Sequence, residues 1–238
     1  MTGSTTINSI RPFHEVGDVL GPTLKLFFQN FWLITKIVIV IVAPFEVFRI
    51  LNLEDLGGNW QLTAGIFFLD QLCRVLIAPA LIYALMQVMR TGVAPGVNES
   101  YRWGLSKLGK LIICAAISAI LQALGLALCI IPGIVIYLSL IVAYPIVILE
   151  NGSPTGALEL SRDLTKGHRW NILGASILLG LIMAVPEGVA GFFATAGDFP
   201  WPLQVAAAIL SDIFEQSMTI LSLVTYLSIR ALWSQSTQ

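Results

Sequence analysis

Charge is what this chain lacks. Only 11% of its 238 residues are Asp, Glu, Lys or Arg, less than half the roughly 25% of a soluble domain. With 56% hydrophobic residues and a mean hydropathy of +0.84, a water-soluble globule is excluded and an integral membrane protein is implied. The formal net charge is -1, so no basic field exists for nucleic acid to follow, and nucleic acid is not expected as a partner. Histidine is also scarce. His14 and His168 have neither HExxH spacing nor a nucleophile in a recognisable turn, so metalloprotease and triad chemistry find no support. The segments "GPTLK" and "GLSKLGK" share a composition with phosphate loops but not the Walker spacing. Cys73, Cys114 and Cys129 lie in apolar runs without a CxxC pair and read as packing residues, not ligands. No cofactor, metal or enzymatic activity is expected. The polar start, with no apolar run before Phe31, lacks the core of a signal peptide, so no cleavage is expected.

What the chain has instead is long apolar runs. Six of about the length needed to cross a bilayer occupy residues 31–51, 62–88, 111–131, 134–149, 171–195 and 203–232. Pro132-Gly133 is the only turn signal between the third and fourth. The expected fold is a single all-α domain over 1–238: a polytopic membrane helical bundle of about six transmembrane helices. Lys and Arg concentrate on alternate connections: Arg11 and Lys25, then Arg90, Arg102, Lys107 and Lys110, then Arg162, Lys166 and Arg169, with Arg230 closing the last run. The other connections carry Glu54, Asp55 and Asp198. Positive residues are retained on the cytoplasmic side, so both termini are expected there. Trp60 and Trp201 on one side, and Trp32, Trp103, Trp170 and Trp233 on the other, fall where interfacial aromatic belts form.

Three of the positive segments also have helical spacing. In "SPTGALELSRDLTKG", Ser153 can cap, Pro154 fits the first helical position, and Gly167 can stop the helix. Ala157, Leu160, Ser161 and Leu164 make one face, and Glu159, Arg162, Asp163 and Lys166 the other. A short cytoplasmic amphipathic helix is expected at the interface, with Leu160, Arg162, Leu164, Lys166 and Trp170 as its membrane-surface residues. Similar readings place Asn98 as a cap and Gly109 as a stop, and Asp18 as a cap with Asn30 as a stop. Each segment leads into an apolar run, which divides the chain into three units, 14–90, 91–150 and 151–238.

Residues 131–173, "IPGIVIYLSLIVAYPIVILENGSPTGALELSRDLTKGHRWNIL", and the opening "EVGDVLGPTLKLFFQNFWLI" resemble the membrane domain family of bacterial glycerophosphoryl diester phosphodiesterases, including its stand-alone relatives. The resemblance implies a multi-span protein of the bacterial inner membrane. The phosphodiesterase activity of such fusions belongs to a separate soluble domain, so it does not carry over to these residues.

Ionisable residues inside spans are costly in lipid and are the remaining functional candidates. Asp70 and Arg74 are one turn apart on the second run, Glu187 follows Pro186 on the fifth, and Asp212 and Glu215 lie on the sixth. Glu46 and Arg49 sit beside Pro44 on the first. Two readings stay open. In one, Arg74 neutralises carboxylates in a dry bundle, while other groups snorkel or bond to backbone freed by Pro44 and Pro186. In the other, the carboxylates face a polar cavity open to the outside. The first fits a non-enzymatic module for partner assembly or membrane organisation, in contact with the bilayer and with a protein partner or a second copy of itself. The second fits a small secondary transporter or channel. A third expectation is a membrane subunit of a larger enzyme complex, with the small residues Gly174, Ala175 and Gly180 read equally as a contact face of that kind or as internal helix packing.

Overall fold

A computed structural model of the chain describes residues 10, 12–51, 59–150, 152–195 and 199–236. Arg11, Glu54, Asp55 and Asp198 lie outside the described residues. The described residues form helices and no strand: α1 (Gly17–Gln29), α2 (Phe31–Leu51), α3 (Trp60–Thr91), α4 (Val97–Leu105), α5 (Leu108–Leu128), α6 (Ile130–Leu140), α7 (Ala143–Glu150), α8 (Pro154–Thr165), α9 (Arg169–Thr195) and α10 (Trp201–Ser236). Taking α6 and α7 together, six segments are long and apolar enough to cross a membrane. The protein is an all-α, multi-pass membrane bundle.

The turn between the third and fourth spans is not at Pro132-Gly133. Cys129 makes it, in extended backbone at φ -175° and ψ 158°. Pro132 then sits in the first turn of α6, where its missing N–H would have had no intrahelical partner anyway. Gly133 serves close packing instead. A Cβ there would lie 3.1 Å from the Leu126 nitrogen, and one on Gly125 would lie 3.1 Å from the Gly133 Cα. Small residues let the two backbones approach where lipid offers no hydrophobic drive for association. Cys129 is exposed at this turn while Cys114 is buried, so the packing role expected of all three thiols fails at Cys129.

The fourth span is broken at Ile141-Val142, three residues before Pro145. Pro145 has no N–H, so the Ile141 carbonyl loses its helical donor. The Ser222 hydroxyl of α10 donates to it at 2.6 Å, and the Ser161 hydroxyl of α8 donates to the Ser139 carbonyl at 2.8 Å. Two neighbouring elements thus satisfy the backbone at the break, which a bilayer could not do.

Helix α8 starts and stops as expected. The Ser153 hydroxyl accepts from the Gly156 N–H at 3.1 Å, Pro154 is in the first turn, and Gly167 has φ +90°. Ala157, Ser161 and Leu164 are buried and Leu160 packs partly buried on the core, while Arg162 and Lys166 are exposed. Trp170 is not part of this helix; it lies in the first turn of α9, 82% exposed. The other two caps differ. Helix α4 starts at Val97 after Gly96 with no side-chain cap and ends at Leu105, so Asn98 is an exposed position inside it and Gly109 belongs to α5. Asp18 caps backward: its carboxylate accepts from the His14 and Glu15 N–H groups at 3.0 and 2.8 Å, fixing the turn before α1. Asn30 does end α1.

Each short helix packs on a membrane-spanning segment. Helix α4 lies against α3, α8 against α7, and α1 against α10. The spans α3, α7 and α10 touch one another at the centre. In their most apolar windows α3 and α10 are 56% buried, against 22% in α5 and α9. The former therefore form the core, and the latter face lipid. Gly174 and Gly180 are spent within this packing, facing Val16 and Met218, and Ala175 is fully buried. The contact face expected of them is internal.

Candidate functional site: a charged cavity between four spans

At the end of the bundle opposite the short helices, a cavity of about 400 Å³ opens between α2, α3, α9 and α10. Helical spacing delivers its charged lining, Glu46, Arg49, Asp70, Arg74 and Asp212, with Glu215 joined through Arg74 and not itself part of the lining. Glu46 and Arg49 are one turn apart on α2, Asp70 and Arg74 on α3, and Asp212 and Glu215 on α10, so each pair projects from one face of its helix.

Arg74 is the hub. Its Nε donates to Asp70 Oδ2 at 2.9 Å, its Nη2 lies 3.9 Å from Asp212 Oδ1, and its Nη1 pairs with Glu215. Arg49 donates through Nε to Glu46 Oε2 at 2.9 Å, and Glu46 is only 4% exposed. Glu46 therefore binds a guanidinium and not the backbone freed by Pro44. Among the described residues, the four carboxylates Glu46, Asp70, Asp212 and Glu215 pair with two guanidiniums, and three of the carboxylates, Glu46, Asp70 and Asp212, line the cavity with both guanidiniums. Glu187 lies on α9 within reach of the Arg74 field but does not line the cavity. The remaining wall is largely apolar, with Phe45, Ile66, Phe67, Ala194 and Ala208. Among the described residues, no group of three or more His, Cys, Asp or Glu could hold a metal ion.

The structure brings Asp70, Arg74, Asp212 and Glu215 together, with Glu187 at the edge. The separation between pairing in a dry bundle and exposure to a cavity does not survive, because the same groups are both paired and at a cavity. The hydrocarbon wall was not legible: Phe67 and Ala208 belong to apolar faces that look the same whether they meet lipid, protein or a void.

A second ionic cluster lies at the short-helix end. Glu150, the last residue of α7, accepts from the Tyr226 hydroxyl at 2.7 Å and from Arg230 Nε at 3.1 Å. Tyr83 on α3 donates to Glu99 of α4 at 2.7 Å and stacks on Trp103 with ring centres 4.7 Å apart. Tyr101 of α4 donates to the Ile37 carbonyl at 2.5 Å, and burial raises its pKa above the ordinary range. His168 packs against Phe13, ring centres 5.3 Å apart. Burial first, and the charge of His14 second, hold its pKa below the usual value. The Asn171 side chain donates to the His14 carbonyl at 2.8 Å, tying the N-terminal turn to α9. These contacts fasten elements together.

A comparison with curated proteins finds no match, and neither does one with solved structures. A family model does match, over residues 65–235, which hold all of α4 to α9 and most of α3 and α10. The matched stretch includes Asp70, Arg74, Glu187, Asp212 and Glu215, but not the Glu46–Arg49 pair. The chain belongs to the family described as Domain of unknown function (DUF7847).

Proposed function

We propose that this protein is a small membrane carrier that takes a positively charged solute into the cavity between α2, α3, α9 and α10. One observation carries the reading: a void of about 400 Å³ whose charged lining includes Glu46, Asp70 and Asp212 alongside Arg49 and Arg74. That volume lies within the roughly 300–1,000 Å³ of small-molecule sites. Ionisable groups in a membrane interior are kept where they meet a pathway or a partner, and here the acidic excess sets the sign of the solute. The Lys/Arg distribution supports an orientation in the cytoplasmic membrane with both termini and the short helices inside and the cavity facing out. The reading assigns no covalent chemistry to any residue.

Proteoliposomes on a solid-supported membrane test it. A jump in external cation concentration should give a transient charge movement that Asp212→Asn abolishes. Absence of any current across inorganic and organic monovalent cations would overturn the carrier reading. The alternative, a module for partner assembly, is supported by the exposed charged face of α8, with Glu159, Arg162, Asp163 and Lys166. Co-purification of a stoichiometric second protein that is lost on reversing Arg162 and Lys166 to Glu would favour it.

A further inference from the structure

The chemistry of the wall narrows the solute, if the carrier reading holds. An inorganic cation needs a shell of oxygens, six to eight for Ca²⁺ and near-octahedral for Mg²⁺. Among the described residues no group of three or more His, Cys, Asp or Glu is placed to hold one. One oxygen each of Asp70 and Glu46 accepts from a guanidinium, and Arg74 bridges Asp70 to the α10 carboxylates. The rest of the lining is Phe45, Ile66, Phe67, Gly191 and two alanines, with only the hydroxyls of Thr63, Thr195 and Ser211 among them. Phe67 is 66% exposed, so the cavity has an edge on the hydrocarbon side of the bundle. An acidic floor with an aromatic and aliphatic wall suits an ion whose charge is surrounded by carbon. Such an ion loses little hydration on entry, gains from apolar burial, and is attracted by ring faces.

We infer that the cavity binds a monovalent organic cation, an alkylammonium with an apolar body, which displaces the Arg74 guanidinium from Asp212 and Glu215. Arg74 is the resident cation of the empty site. It keeps the carboxylates charged and separated until the ligand's ammonium takes its place, and it then retains Asp70, one turn away on its own helix. Two sources share this chemistry, a free organic amine and the amine head of a lipid. The hydrocarbon edge at Phe67 is open to both.

The test uses the full chain in detergent, with thermal unfolding and equilibrium binding read in parallel. Tetrapropylammonium should raise the melting temperature saturably, while NaCl or KCl at the same ionic strength should not. Asp212→Asn should weaken tetrapropylammonium binding about tenfold, and Arg74→Gln should tighten it by a similar factor, since each alters one unit charge at a partly hydrated distance. The rise in affinity on removing Arg74 is the signature, because a residue with only a structural role would weaken or spare binding. If Arg74→Gln fails to fold, Arg74→Lys keeps the charge but loses the fork, and it should also bind more tightly. Saturable stabilisation by Na⁺ or K⁺ alone would overturn the organic class and leave the carrier reading standing. Response to no cation would overturn both. Unchanged or weaker affinity in Arg74→Gln and Arg74→Lys would overturn the displacement step. In nanodiscs, competition by a dialkyldimethylammonium lipid but not by free tetrapropylammonium would assign the lipid source, and the reverse would assign the free amine.

Discussion

The two ends of this bundle use polar residues in opposite ways. At the short-helix end, almost every polar side chain named above is bonded to one specific group: Ser222 to the Ile141 carbonyl, Ser161 to the Ser139 carbonyl, Tyr226 and Arg230 to Glu150, Tyr101 to the Ile37 carbonyl. At the other end, Arg74 is shared among three carboxylates beside a void. In the first arrangement Ser222 and Ser161 satisfy backbone at the break in the fourth span, and the other bonds tie one helix to another. The second keeps charges in surplus and exchangeable. A membrane protein has no hydrophobic drive between its helices, so fastening at one end allows the other to stay loose enough to bind.

The contrast can be broken at several points. The largest effect is expected from Leu164→Asp, which puts a carboxylate on the 1%-exposed face of α8. It should cost roughly 3–5 kcal/mol or prevent assembly altogether. Phe67→Ala at the cavity wall should change stability by less than about 0.5 kcal/mol. Detergent unfolding of both variants decides, and equal effects would dissolve the distinction between the two ends.

Gly125→Leu comes next. Its side chain would start within 3.1 Å of the Gly133 Cα, and overpacking of this kind costs about 1–3 kcal/mol. Gly191, at the cavity, has nothing within 4 Å of a Cβ. Gly191→Ala should be neutral or stabilising by up to about 1 kcal/mol, through helix propensity alone.

Arg74→Leu sharpens the comparison further. Loss of one partner from a dry buried pair costs about 3–5 kcal/mol, but water in the cavity can solvate the carboxylates left behind. A loss of about 1–2 kcal/mol is expected, partly restored by Asp212→Asn, since partly exposed pairs contribute far less than dry ones. A loss of 4 kcal/mol or more, unrelieved by either Asp70→Asn or Asp212→Asn, would falsify the hydrated site. Ser222→Ala, which strips the donor from the Ile141 carbonyl, should cost about 1 kcal/mol. Ser211→Ala, at the cavity, should cost nothing measurable.

The smallest effect is a pH dependence at the fastened end. Burial and His14 depress the pKa of His168 in the folded state, so the unfolded chain binds the extra proton more readily. The stability due to neutral His168 is therefore complete above the unfolded value near 6.5 and is lost as pH falls through the lower folded value. A series of melting temperatures from pH 7.5 to 5.5 should show this decline, and His168→Phe, which can keep the packing on Phe13, should flatten it.

Some of this architecture is local and was therefore open to reading. The run of apolar residues specifies each span because a helix is the only open segment that satisfies its backbone in lipid. Ser153, Pro154 and Gly167 mark both ends of α8 because caps act within one turn. The partnership of Asp70 with Arg74 follows from their four-residue spacing, and the Asp212–Glu215 pair was placed at a matching depth by counting along the spans. Where a local signal had two uses, reading it from the sequence failed. Pro132-Gly133 can make a turn, or a first helical turn with a close contact, and only the approach of α5 to α6 selects the second. Asn98 and Asp18 can cap forward, yet neither does.

By itself, then, the sequence determined an all-α membrane bundle, its spans and the identity of its intramembrane charges, because these depend on composition and on interactions within a few residues. The tertiary structure alone decided that α2, α3, α9 and α10 stand far enough apart to leave a cavity, that its wall is hydrocarbon, and that Ser222 and Ser161 close the broken span. Each of these depends on which helix faces which across more than 20 residues of chain, and no periodicity within one helix encodes its neighbour.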